Sequence, residues 1–450
     1  SVELVAGVGS GDGLVSPTAI EYTGSPITFT ESTQVKARVL KGGAWSAKNE
    51  ATYSVGPVAD NLRITEIMYH PLDAADPNEE FIELKNIGAE TINLNLVKFT
   101  NGIDFTFPNM DLLAGGYVLV VNDQAGFEAR HGLGLNVAGE YVGNLNNAGE
   151  RIELQDACGK SIHNFSYKDG WYPITDGDGF SLTIIDAGST DMNDWDIKDG
   201  WRPSAFVGGS PGEDDSGYVP LPDSVKINEV LAHSDTILYD WIELHNTTGS
   251  IINIGGWYLS DDDTDEAGLK KYEIPAGTSI SANGYIVFYE NLHFGSAFAL
   301  SENGEKVCLT SAQGGVLTGY SEKEDFGASD PDVAFGRYYK ASTDNYNFVA
   351  MSSNTPGWLN SAPLVGPIVI NEIMYHPDAM AGGSYSDDEY EYIELYNISG
   401  ASVTLYDPAT SESWKFTEGI DYTFPAGSPV TIPAGGYIVV VSSCCGKKFI

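Results

Sequence analysis

The sequence predicts an all-β protein, a tandem array of antiparallel β-sandwiches strung as beads. Three observations carry that expectation. Four sequence blocks recur in the same order in three copies. Each block is a short run of Val, Ile, Tyr, Phe and Thr bounded by Gly, Pro, Asn or Asp, the pattern of strands and turns. No long helical periodicity competes with these runs, which favours antiparallel sandwiches over a parallel sheet with crossover helices.

The first block, Glu66-Ile67-Met68-Tyr69-His70-Pro71, returns unchanged as Glu372-Ile373-Met374-Tyr375-His376-Pro377 and more weakly as Glu229-Val230-Leu231-Ala232-His233. The second is Phe81-Ile82-Glu83-Leu84-Lys85-Asn86, matched by Trp241-Ile242-Glu243-Leu244-His245-Asn246 and Tyr392-Ile393-Glu394-Leu395-Tyr396-Asn397. Here Ile82 and Leu84 alternate with Glu83 and Lys85, which sends one face to a core and the other to water. The third, Gly102-Ile103-Asp104-Phe105-Thr106-Phe107-Pro108, matches Gly419-Ile420-Asp421-Tyr422-Thr423-Phe424-Pro425, with Tyr272-Glu273-Ile274-Pro275 in the middle copy. The fourth begins Ala114-Gly115-Gly116-Tyr117, Ala282-Asn283-Gly284-Tyr285 and Ala434-Gly435-Gly436-Tyr437, each followed by an apolar strand.

Glu66 to Glu83 is 17 residues and Glu372 to Glu394 is 22, so length varies between the blocks and not within them, as loops vary between strands. Successive copies start 163 and then 143 residues apart, which is the size of whole domains and too long for a solenoid repeat. The first two copies end in Gly209-Ser210-Pro211-Gly212 and Asn354-Thr355-Pro356-Gly357. The third reaches Ile450 soon after its Gly-Gly-Tyr strand and is expected to be truncated, making the chain a fragment. The expected domains are a small β-sandwich over 1–57 and three modules over 61–212, 225–360 and 367–450.

One position resists the alternation. Ile64, Glu66 and Met68 share parity, as do Ile227, Glu229 and Leu231, which aims a carboxylate at the core at a high desolvation cost. Either a β-bulge re-aims the side chain or backbone donors satisfy it, with a functional site at this position as the alternative.

The net charge of −40 repels phosphate backbones and anionic lipid and disfavours a nucleic-acid partner. No apolar run approaches the length of a membrane span, so no membrane insertion is expected. Cys158, Cys308, Cys444 and Cys445 are too few for a disulfide scaffold and leave the compartment open. No nucleophile elbow, His-Glu-x-x-His helix, phosphate-binding loop or Cys-x-x-Cys motif appears, so no catalytic residue is assigned and no enzyme is expected. Glu66 and His70 lie about 13 Å apart along a strand, too far to pair.

The best site candidates are acidic loops: Asp261, Asp262, Asp263, Asp265 and Glu266, then Asp176 and Asp178, then Asp387-Asp388-Glu389. Clustered carboxylates suit a hard cation, so calcium is the one cofactor considered, with solvated loop charge as the alternative. Trp171, Tyr172, Trp195 and Trp201 lie close together and either stack on sugar rings or fill a core. Asn246-Thr247-Thr248 and Asn397-Ile398-Ser399 fit the glycosylation sequon, and a turn asparagine explains them equally well.

The Ile370-Asn371-Glu372-Ile373 start, the Ile-Glu-Leu-x-Asn strand and the Ala-Gly-Gly-Tyr strand together resemble the lamin tail domain. The resemblance implies immunoglobulin-like sandwiches and, in the absence of a coiled-coil rod, the tandem modules of bacterial secreted or surface proteins. Residues 17–39 are similar to the small β-sandwich appended to chitobiase-like and other secreted hydrolases. The resulting expectation is a non-catalytic extracellular or cell-surface array that spaces, displays or assembles, with other protein chains, extracellular polysaccharide or its own copies as partners. The alternative is a carbohydrate-binding or scaffold region of a larger secreted hydrolase or kinase-like protein.

Overall fold

The computed structural model describes the backbone of residues 2–5 and residues 19–72, 77–235, 239–376, 391–417 and 419–441. The chain divides into two compact units, one of Ser1–Asp332 with Pro356–Leu359 and one of Val333–Thr355 with Asn360–Ile450. In the first unit, strands Val2–Val5, Ile20–Tyr22, Thr33–Lys41 and Asn49–Tyr53 form a small antiparallel sheet ahead of the first module.

The first module is a sandwich. Its larger sheet runs, in spatial order, Val137–Glu140, Tyr117–Val121, Phe81–Asn86, Leu62–Met68, Leu182–Ile184 and Trp201–Pro203. The smaller sheet runs Phe105–Thr106, Lys98–Asn101, Arg151–Gln155 and Ser161–Ser166. Ile64, Ile82, Leu84 and Val120 from the first sheet meet Phe99, Ile152, Leu154 and Phe165 from the second in one buried core. The opposite face of the large sheet is covered too, because Phe81, Leu119 and Val121 pack under Phe127 of the helix Gln124–His131. Asp123 caps that helix, its carboxylate accepting from the Gly126 N–H at 2.6 Å.

The parity conflict at Glu66 resolves through a bulge. Ile64 pairs with Leu84 and Glu66 with Glu83, so Thr65 is the extra residue and the strand changes face between Ile64 and Glu66. Ile64 stays in the core while Glu66 and Met68 turn to the other side. The second module repeats the bulge at Asn228, between Ile227↔Leu244 and Glu229↔Glu243, and the third at Asn371, between Ile370↔Leu395 and Glu372↔Glu394.

The second module pairs Tyr285–Tyr289, Trp241–Asn246 and Val225–Leu231, with a second sheet of Tyr272–Glu273, Tyr258–Ser260, Glu305–Gln313 and Val316–Phe326. The other unit contains the hairpin of Phe335–Lys340 with Asn345–Ala350, and the sheet of Ile368–Met374, Tyr392–Asn397 and Tyr437–Val441.

The asparagine closing each Ile-Glu-Leu-x-Asn strand is a fully buried hub. The Asn86 amide donates to the carbonyls of Glu90, Leu112 and Leu113, and its oxygen accepts from the Gly88 N–H. Asn246 and Asn397 make the equivalent sets. The fourth block binds the same residue, since the Asn86, Asn246 and Asn397 N–H groups donate to Gly116, Gly284 and Gly436.

Candidate functional site

The bulge places two glutamates directly opposite one another on the outer face of the sheet, where like charges repel. In the first module both are 1% exposed. They stay buried because a closing strap from the end of the module supplies donors. Glu66 accepts from the Ser210 N–H at 2.9 Å and from the Ser181 hydroxyl, and Glu83 accepts from the Gly212 N–H at 2.5 Å and the Thr65 hydroxyl at 2.6 Å. Pro211 sits between the two strap donors, and Gly212 follows it with φ +91°, the Pro-Gly chemistry of a tight turn. Asp215 locks the strap further, accepting from the Ala205 N–H at 2.6 Å and the Ser210 hydroxyl at 3.0 Å and pairing with buried Arg202.

The second module has the same clasp. Glu229 and Glu243 are both fully buried, Asn228 donates to Glu243 at 2.7 Å, and the Gly357 N–H donates to the other Glu243 oxygen. Burial pushes the Glu83 and Glu243 carboxyls up to about 7, and burial followed by the charge of Glu83 holds Glu66 well above the usual carboxylate range. Glu80 shows the same device on a loop, accepting from the Tyr141 hydroxyl at 2.9 Å and the Leu145 N–H at 2.8 Å, with its carboxyl pushed by burial to about 7.

A cavity of about 370 Å³ opens beside the first clasp, lined among others by Glu83, Lys85, Tyr117 and Asp214. Raised carboxyls next to a cavity are what acid–base chemistry needs. Here, however, their donors come from the fold itself, so the pair holds the module shut. The clasp is a structural site repeated with the module.

The acidic loops carry internal partners. Asp261 pairs with Lys271 at 2.5 Å, and Asp263 with Lys306 at 2.6 Å and Lys323 at 3.0 Å. Asp262 accepts from Thr264, Asp265 accepts from the Gly268 N–H at 2.8 Å, and Glu266 pairs with Lys270. The two lysines, Lys306 before Lys323, hold the Asp263 carboxyl down at about 2. Asp176 pairs with His70 at 2.6 Å, while burial raises Asp178, which senses the charges of Lys323 and Asp263. Among the described residues no group of three or more His, Cys, Asp or Glu is placed to hold a metal ion. Asp387-Asp388-Glu389, Cys444 and Cys445 lie outside the described residues.

The recurrent histidines have different partners in different modules. His70 meets Asp176, whereas His233 donates to the Ser329 carbonyl at 2.9 Å. His163, fully buried against Trp195, accepts the Ile64 N–H at 3.1 Å, and burial holds its ring neutral with a pKa of about 3. Trp171, Trp195 and Trp201 belong to the core, so they form no sugar-stacking face. Asn246 and Asn397 are buried hubs, so the turn explanation of both sequons holds in the folded chain.

Sequence reasoning missed the donors: Thr65, Asn228 and Asn371 in the bulges, and the glycine N–H of each Ser/Thr-Pro-Gly. The signal was present, because a polar residue precedes the odd-parity glutamate in every copy.

The family model described as Lamin Tail Domain matches residues 57–169, 220–324 and 361–444. Curated proteins and solved structures contain no match to the chain. Three family matches fall on the three bulged, glutamate-paired sheets and together cover about two thirds of the sequence, and on that ground the chain belongs to the lamin tail domain family, as tandem immunoglobulin-like β-sandwiches.

Proposed function

We propose that this chain is a non-catalytic structural array of the bacterial cell surface or extracellular matrix, in which lamin tail modules space, display or assemble. The observation that supports this most directly is that the repeated polar residues are consumed by folding: glutamates, bulge residues and hub asparagines all bond within their own module. With Trp171, Trp195 and Trp201 in the core, the carbohydrate reading loses its platform. The sheet ahead of residue 57 is read as the small β-sandwich of secreted hydrolases, a scaffold element upstream of the array. Among the described residues no helix is long and apolar enough to cross a membrane.

Labelling of intact source cells with a membrane-impermeant amine reagent tests the location. The array reading expects the chain to be modified before lysis, and labelling that appears only after lysis overturns it.

A further inference from the structure

The polar residues that repeat between modules are consumed by folding, and one position beside the clasp does not repeat. The residue between leucine and asparagine in the Ile-Glu-Leu-x-Asn strand is Lys85, His245 and Tyr396, and in each module it faces the tyrosine of the fourth block, Tyr117, Tyr285 and Tyr437. His245 and Tyr396 stack on their tyrosines at 4.3 and 4.4 Å, whereas the Lys85 ammonium donates to the Tyr117 hydroxyl at 2.7 Å. The sandwich therefore accepts three unlike side chains here, and in the first module the lysine lines the cavity of about 370 Å³. The floor of that cavity is the outer face of the large sheet, where Thr183 lies opposite Glu66. The Thr183 hydroxyl is buried and has no hydrogen-bond partner among the described residues, a cost that folded chains seldom carry without a use. On the rim, Asp186 and Asp214 are each fixed by a backbone bond, from the Gly188 N–H at 2.8 Å and the Ser216 N–H at 2.9 Å, which leaves further acceptor positions on each carboxylate.

We propose that this cavity binds a single uncharged sugar ring through hydrogen bonds. The lining combines donors, Lys85 and Thr183, with acceptors, Asp186 and Asp214, and a sugar hydroxyl both donates and accepts, so one ring meets both sets. Charge decides against the rivals. Glu66 and Glu83 are taken up by the strap donors, and the acids that remain in the lining outnumber Lys85, which disfavours an anion; the ammonium on the floor disfavours an organic cation. Among the described residues no group of acids and histidines is placed to hold a metal ion. Hydrogen bonds to an ammonium and to carboxylates are the strong kind, so an uncharged polyol is gripped without stacking, and the tryptophans held in the core are not needed. The volume is near the lower end for small-molecule pockets, room for one ring and not for a stretch of chain. The site goes beyond the array reading and does not rest on it.

Isothermal titration calorimetry of the full chain with the methyl pyranosides of glucose, galactose and mannose tests the site. At least one should bind saturably at one site per chain, and the matching uronate should bind at least about tenfold more weakly. Lys85→Tyr, a side chain the third module already carries at this position, should weaken that sugar at least about tenfold. Thr183→Val should weaken it about fivefold while leaving the unfolding temperature unchanged or raised, because it removes a buried hydroxyl that bonds to nothing else. A linear tetramer of the same sugar separates the sources: binding at least as tight marks a polysaccharide residue, and exclusion marks the free sugar. No saturation by any of the three pyranosides at tens of millimolar, or equal binding of cyclohexanol, overturns the proposal whether or not the variants fold, and unaltered binding to both folded variants overturns it as well. None of these results bears on surface labelling, so the site and the array reading fail separately.

Discussion

Glu83 shows how one residue sets the behaviour of a module. Its folded-state carboxyl, at about 7, lies above its ordinary value of 4.5, so the folded chain binds a proton that the unfolded chain releases between those values. That contribution is fully present below about 4.5 and is lost as pH rises through about 7. The unfolding temperature of the first module should therefore fall between pH 5 and pH 8. Glu83→Gln should flatten this slope, which separates it from the general self-repulsion of a strongly acidic chain. Glu83→Ala instead removes the acceptor of both the Gly212 N–H and the Thr65 hydroxyl, at a cost of about 1–3 kcal/mol. Urea denaturation at pH 8 checks that cost, and an unchanged midpoint would contradict the clasp. The sequence showed that Glu66 was out of place, because parity is a local property. It did not show the strap donors, because the contact between Glu66 and Ser210 spans 144 residues.

At the scale of elements, strands were legible where Val, Ile and Tyr runs ended in turn residues, and the four blocks became paired strands in all three modules. The bulge was legible as one of two alternatives, and the structure uses both: the bulge turns Glu66 outward and backbone N–H groups satisfy it. What the strand pattern hid was the hub asparagine, since a turn residue and a buried amide carry the same letter. Asn86→Ala would leave the carbonyls of Glu90, Leu112 and Leu113 without this donor. The expected loss is about 2–4 kcal/mol of module stability, read from urea unfolding. A loss below about 0.5 kcal/mol would place Asn86 among ordinary turn residues.

For the whole molecule, the repeat distance already implied separate domains, but the joint between the first two depends on backbone contact that no pattern reveals. The Gly319 N–H donates to the Ala205 carbonyl at 3.1 Å, and a Cβ on Gly319 would come within 1.8 Å of the Ser204 carbonyl oxygen. Lys226 and Glu322 pair at 2.9 Å near the same joint. Gly319→Val should open the seam while each sandwich remains folded, broadening the interdomain distance distribution in small-angle scattering of the 61–360 segment. An unchanged distribution would show that the seam carries no orientation.

The account turns on the straps being held by buried glutamates. Native-state hydrogen exchange of the Gly212 and Gly357 amides tests that most directly. Both should be protected to the level of the strand amides around them, and Glu83→Ala and Glu243→Ala should each release the matching glycine alone. Exchange of both glycines at the rate of an unstructured peptide in the unaltered chain would contradict it.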